Sequence, residues 1–329
     1  MKKRARLALI GSGVAAAVMA AAESARLGMA EYFVDVAMAR KIPPHPITAE
    51  RMLLGSCVDE ELLENVRQAG ERLIAYPHER VEIQSRDGTK LVGHWMPVEN
   101  PKRVIVAMHG WRSSWHNDFG MVADFFWKNG CSLLCPEQRG QGSSGGEYMG
   151  FGLMERYDCL DWLDWVNRRT GGDLPAYLCG ISMGASTVLM AAGQELPPNV
   201  RGVMADCGYT SPVAIWKHVA QNHLHLSYGV CGGPAGRAAR RKIRMSMDAE
   251  SCPQALARCT VPVLFVHGTD DRFVPIEMTY ENYKACAGPK RLFVVPGAEH
   301  GMSYLVDRTG YEAAVKAFWE EFDKGELPC

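Results

Sequence analysis

From about residue 80 onward, short runs of apolar residues alternate with longer segments whose apolar positions recur every three or four residues. The runs at 104–108, 132–135, 176–179, 203–205, 263–266 and 292–295 carry almost no polar side chains, as strands buried on both faces do. Segments 121–129, 155–168, 185–192 and 311–322 have helical spacing. This alternation predicts an α/β fold with a mostly parallel, doubly wound sheet covered by helices on both faces. Ahead of it, 81–83 and 91–95 bracket Arg86-Asp87-Gly88, a strand–turn–strand signal. The alternation fails between about 207 and 260. That interval is too long for a simple connection and is read as an inserted helical lid. Ser211-Pro212 marks a helix start within it, followed by Val213, Ile215, Trp216 and Val219.

The first 79 residues have a different texture. Tyr32, Phe33, Val36 and Met38 form one apolar stripe. After Pro43-Pro44, a second stripe from about Asp59 to Ala75 carries Leu62, Leu63, Val66, Leu73 and Ile74. Residues 23–79 are therefore expected to be a helical arm that connects rather than catalyses. Lys2, Lys3, Arg4 and Arg6 precede an uncharged stretch, 7–22, that ends in three alanines. A basic start and an apolar run predict an export signal or short membrane anchor over 1–22. The main body, 80–329, would then lie outside the cytoplasm, the alternative being a cytoplasmic protein. The eleven cysteines, odd in number and without a CxxC pair, suggest neither a disulfide framework nor a zinc ribbon. Cys131, Cys135 and Cys179 read as small buried hydrophobes. So many free thiols favour a reducing compartment, but the N-terminal pattern is the stronger signal, because buried thiols survive outside.

Composition narrows the function classes. Apolar residues at 47% and charged residues at 22% are globular values and exclude a disordered or multi-spanning chain. Lys and Arg number 36 against 37 Asp and Glu, so there is no domain-wide basic field to hold nucleic acid.

The pattern G-x-S-x-G occurs twice, at 142–146 and 180–184. The second copy follows the strand 176–179 and opens the helix 185–192, the strand–elbow–helix context that exposes a nucleophile. Ser182 is thus the candidate nucleophile and Ser144 a loop residue. A serine hydroxyl needs a base, and the base an orienting acid. His300 lies in the loop directly after the strand 292–295 and is the candidate base. Asp270 and Asp271 compete for the acid after the strand 263–266.

With these residues in place the chain resembles an α/β-hydrolase over roughly 80–325. In that family the late acid usually sits in H-G-x-x-D-x-x-V-P. Residues 267–275 match it with Asp271 as the acid, while Asp206 occupies the family's alternative position. His109-Gly110-Trp111 is similar to the family's H-G-x turn. The resemblance implies an oxyanion hole made by the backbone N–H groups of Trp111 and Met183. Residues 137–143 resemble the D-x-R-G-x-G-x-S loop but depart from it at Glu137 and Gln141, positions expected to support the loop. The nearest resemblance is to small-lid bacterial serine hydrolases with a basic, apolar N-terminus.

It implies hydrolysis of small carboxylic esters, or amides, through a Ser182–His300–Asp271 triad and an acyl-enzyme. A small-substrate peptidase or amidase and an acyltransferase are alternatives, and a non-catalytic binding protein is the least favoured. No metal or organic cofactor is implied, and the N-terminus could associate with a membrane. Trp111 and Trp115 are expected near the pocket, though one could equally be core. His218, His223 and His225 lack a carboxylate or thiol to complete a ligand set. Arg237, Arg240, Arg241, Lys242 and Arg244 read as a solvated face, or as a contact for anionic lipid or an anionic substrate group. Asp158, Asp161 and Asp164 read as the wet side of one helix.

Overall fold

A computed structural model describes residues 2–41 and 60–323, with backbone alone for 2–18 and 60–63. The apolar runs become strands of one eight-stranded sheet: β1 (Glu79–Gln84), β2 (Lys90–Met96), β3 (Arg103–Met108), β4 (Cys131–Glu137), β5 (Ala176–Ile181), β6 (Val200–Asp206), β7 (Val263–Gly268) and β8 (Lys290–Val295). Their spatial order is β1-β2-β4-β3-β5-β6-β7-β8. The β1–β2 hairpin adds antiparallel to β4, and every other pairing is parallel. Successive side chains point to opposite faces, so the central strands feed two cores. Val104, Val106 and Met108 face one core, Ile105 and Ala107 the other.

Helices cover both faces: α1 (Lys2–Met38), α2 (Glu60–Ala75), α3 (Trp115–Phe119), α4 (Ala123–Lys128), α5 (Glu155–Thr170) and α6 (Met183–Ala191). Between β6 and β7 lie α7 (Pro212–His218), a π-helical turn (Val219–His223), α8 (Tyr228–Ile243) and α9 (Cys252–Leu256). The chain closes with α10 (Ile276–Ala285), α11 (Ser303–Val306) and α12 (Arg308–Phe322). The strand registers, the doubly wound helices and the lid give the α/β-hydrolase fold.

α1 runs unbroken across residue 22 and ends against the sheet domain. The Pro43-Pro44 break lies outside the described residues. Ala30, Val34 and Met38 are the α1 residues most deeply buried, with Tyr32, Phe33 and Val36 only half-buried beside them. The helix end is sewn to the loop after β4, where Met149 N–H donates to the Met38 carbonyl at 2.8 Å and Arg40 N–H to that of Glu147 at 2.9 Å. Among the described residues no helix is long and apolar enough to cross a membrane.

Two charge patterns take roles different from those the sequence suggested. Lys242 Nζ of α8 pairs with Glu31 at 2.8 Å and Asp35 at 2.7 Å, and Arg241 pairs with Glu31 at 2.7 Å. Part of the basic cluster thus clasps α1 to the lid. Asp158 is buried, not wet, because Arg139 reaches in from the Gly-rich loop and donates to it at 2.6 Å. Asp161 accepts from Arg86 Nη2 at 2.9 Å, and Asp164 alone of the three is exposed.

Candidate active site

Ser182 sits on the turn between β5 and α6 with φ +56°, a left-handed conformation that costs a non-glycine residue energy. The flanking glycines are what permit so tight an elbow. A Cβ at Gly180 would lie 2.2 Å from the Gly184 carbonyl oxygen, and one at Gly184 would lie 1.9 Å from that of Met108. The other G-x-S-x-G copy is structural, since Ser144 Oγ is buried and accepts from Val92 N–H at 2.8 Å.

Three residues far apart in the chain meet at this elbow. Ser182 Oγ lies 2.9 Å from His300 Nε2, and His300 Nδ1 lies 2.6 Å from Asp271 Oδ2. The Asp271 carboxylate is fully buried yet well supplied with donors. Its Oδ1 accepts from Phe273 N–H at 2.9 Å and Val274 N–H at 2.8 Å, and His267 Nε2 lies 3.1 Å from Oδ2. Burial opposes its ionisation, but His300, His267 and these bonds hold its pKa well below the usual carboxylate range. For His300, burial disfavours the imidazolium, while Cys207 and Asp271 together raise its pKa well above 6.5. Phe273 packs edge-on against the imidazole with ring centroids 5.1 Å apart.

The rival acids are placed elsewhere. Asp206 is buried and accepts from Ser303 Oγ at 3.0 Å, and burial pushes its carboxyl up to about 6. Asp270 is exposed and accepts from Thr269 Oγ1 at 2.7 Å. Cys207, Asp271 and His300 bring ligand-type atoms within 4.8 Å of one another, the only such cluster among the described residues. Asp271 and His300 already bond to each other there.

Met183 is the first residue of α6, immediately after Ser182. The turn after β3 lies alongside, since a Cβ at Gly110 would be 3.4 Å from Ser182 Cβ. Side chains fasten this turn from several directions. Gly110 N–H donates to Asp118 at 2.6 Å, and Arg112 N–H to Gln141 Oε1 at 2.7 Å. Gln141 thereby supports the turn, while Glu137 accepts from His94 at 2.8 Å.

A largely apolar pocket opens over Ser182. Met183, Trp111, Phe151, Tyr209 and Phe273 line its inner part, and Ile215, Trp216, Val219, Leu224 and Leu226 form the lid side. Cys231 also lines it and is the one half-exposed thiol among the described cysteines. Trp111 takes the expected place, but Trp115 is core, buried and stacked on His94 at 4.2 Å. His218 and His223 both approach the Arg272 carbonyl, at 3.0 and 3.1 Å. The remaining wall is the surprise. Much of it comes from α1, which the sequence reading treats as a connector. Phe151, between two glycines and at φ +53°, was also overlooked, although such a bulky residue in a Gly-x-Gly context signals a special turn.

Known proteins fit this architecture. A family model described as alpha/beta hydrolase fold matches residues 103–251. The uncharacterized protein YqkD of Bacillus subtilis is 28% identical over 246 residues, 73% of this chain and 79% of that protein. The Pyrococcus furiosus esterase Pf2001 superposes with a TM-score of 0.63 at 20% identity, over 77% of this chain and 94% of the esterase. Est1E of Butyrivibrio proteoclasticus, solved with ferulic acid bound, gives 0.57 at 21% identity, over 74% and 98%. The chain has the α/β-hydrolase fold, which the family model and these structures share.

Proposed function

We propose that the protein is a serine hydrolase that cleaves carboxylic esters through an acyl-enzyme. The observation that carries this reading is the unbroken hydrogen-bonded line from Ser182 Oγ through His300 to Asp271 at the mouth of an apolar pocket. Ser182 Oγ attacks the carbonyl carbon as His300 Nε2 takes the hydroxyl proton. Asp271, ionised and accepting from His300 Nδ1, stabilises the imidazolium. The carbonyl oxygen gathers negative charge and is met by the N–H groups of Trp111 and Met183, each contributing about 3 kcal/mol to lowering the barrier. Collapse expels the alcohol, which takes the proton back from His300. Water then attacks the acyl-serine with His300 as base, freeing the acid and regenerating Ser182. One similar structure, Pf2001, is an esterase by name, and the pocket offers a carbon chain more than it offers a peptide, so esters come before amides.

The test is turnover of p-nitrophenyl esters beside an aminoacyl-anilide panel, for the full chain and Ser182→Ala, together with fluorophosphonate labelling. Ester turnover and labelling that both vanish in Ser182→Ala, with the circular dichroism spectrum unchanged, are expected. Anilide turnover alone would replace the esterase reading with an amidase. Labelling that persists in Ser182→Ala would move the nucleophile.

A further inference from the structure

We propose that the last turns of α1 belong to the substrate site: they form the pocket wall that limits how long an apolar acyl chain can be, and the oxyanion turn holds them there. This rests on the ester-hydrolase reading and names a substrate class for it, esters of apolar acyl groups. Ala30, Phe33, Val34 and Ala37 all line the pocket, at the i, i+3, i+4, i+7 spacing that puts them on one helical face.

A neighbouring face of the same helix presents Glu31 and Asp35, which clasp Lys242 of the lid at 2.8 and 2.7 Å. The lid and α1 thus close the pocket as a pair. The helix end is fixed from the chemical side. Trp111 Nε1 donates to the Ala37 carbonyl at 2.7 Å, and Arg112 Nη2 donates to those of Val36 and Ala39 at 2.7 and 2.8 Å. A guanidinium at a helix C-terminus both satisfies end carbonyls and complements the dipole. The residue expected to donate to the oxyanion and its neighbour are therefore the ones that seat the acyl wall.

Opposite changes should move the chain-length preference in opposite directions, which a general loss of stability would not do. In the full chain, Ala37→Phe should lower kcat/KM for p-nitrophenyl octanoate and decanoate by about 10-fold or more, leaving acetate within about threefold. Phe33→Ala should shift the optimum to longer chains, and Ala37→Val should give a smaller shift in the direction of Ala37→Phe. Thermal melts check that each variant folds. Parallel changes for all chain lengths, or none, would overturn the proposal. If the wild type hydrolyses no ester, the ester reading fails separately. The ratio of Ser182 labelling rates by short- and long-alkyl fluorophosphonates then tests the wall alone, and a ratio unmoved by both Ala37→Phe and Phe33→Ala overturns it.

Discussion

Ser182 stands between two regions built on opposite principles. On one side Asp271, His300 and the turn after β3 are crowded with donors and acceptors at 2.6–3.1 Å. On the other, α1 and the lid present carbon. The polar side is specified atom by atom, because a proton moves only along an aligned hydrogen bond. The apolar side is specified by volume, because burial is non-directional and scales with area. A single change on the first side should therefore be catastrophic, and one on the second graded. The regions touch through the Trp111-Arg112 pair, where polar groups of the turn after β3 grip the backbone of the apolar wall.

The largest effect should come from Asp271→Asn, a fall in kcat of about 10⁴-fold as the imidazole loses its orienting acceptor. Asp270→Asn should stay within about twofold of wild type on p-nitrophenyl acetate. A comparable collapse in Asp206→Asn would break the contrast, since that carboxyl bonds to Ser303 and not to the histidine. Next in size, Arg112→Leu should loosen both regions at once. We expect kcat to fall roughly 10- to 100-fold, somewhat less than deletion of an oxyanion donor, with KM rising for octanoate but little for acetate. Arg112→Lys should restore part of the loss. A KM change with no change in kcat would confine Arg112 to the wall.

The pH profile sharpens the polar side. In the proposed mechanism His300 must be neutral to accept the serine proton, and its pKa is raised, so activity should fall on the acid limb at a pH above 6.5. In Asp271→Asn the residual activity should show that limb shifted downward, because the carboxylate that favours imidazolium is gone. An unmoved limb would assign it to another group. The smallest effect belongs to the clasp. Lys242→Met removes ion pairs whose carboxylates are partly exposed and should cost about 1 kcal/mol, read as a small drop in melting temperature that shrinks further in high salt.

The same contrast explains what could be read from the chain. Ser182, Asp271 and His300 each lie in a loop directly after an apolar strand, so local pattern and strand order are enough to find them. The pocket wall gave no such signal. Its face on α1 contains Ala30 and Ala37, which do not stand out, while the visible stripe of Tyr32, Phe33, Val36 and Met38 straddles that face and its neighbours. The Asp158, Asp161, Asp164 spacing suggested a wet side because nothing local to that helix predicts Arg139 arriving from a loop. α3 was missed for its length. Five residues after the Ser114 cap cannot display a helical period. Its Trp115 then packs with His94 of β2, a contact only the fold creates.

One thiol gives the molecule a native spectroscopic handle. Burial pushes the Cys207 thiol up to about 11 and keeps other described cysteines shielded, so alkylating reagents should pass them by. Cys231 is half-exposed and faces the pocket. With Cys57 and Cys329, which lie outside the described residues, replaced by serine, an environment-sensitive maleimide at Cys231 would sit where the acyl chain is expected to lie. Its emission would follow pocket filling in real time, and a bound acyl chain would slow its attachment.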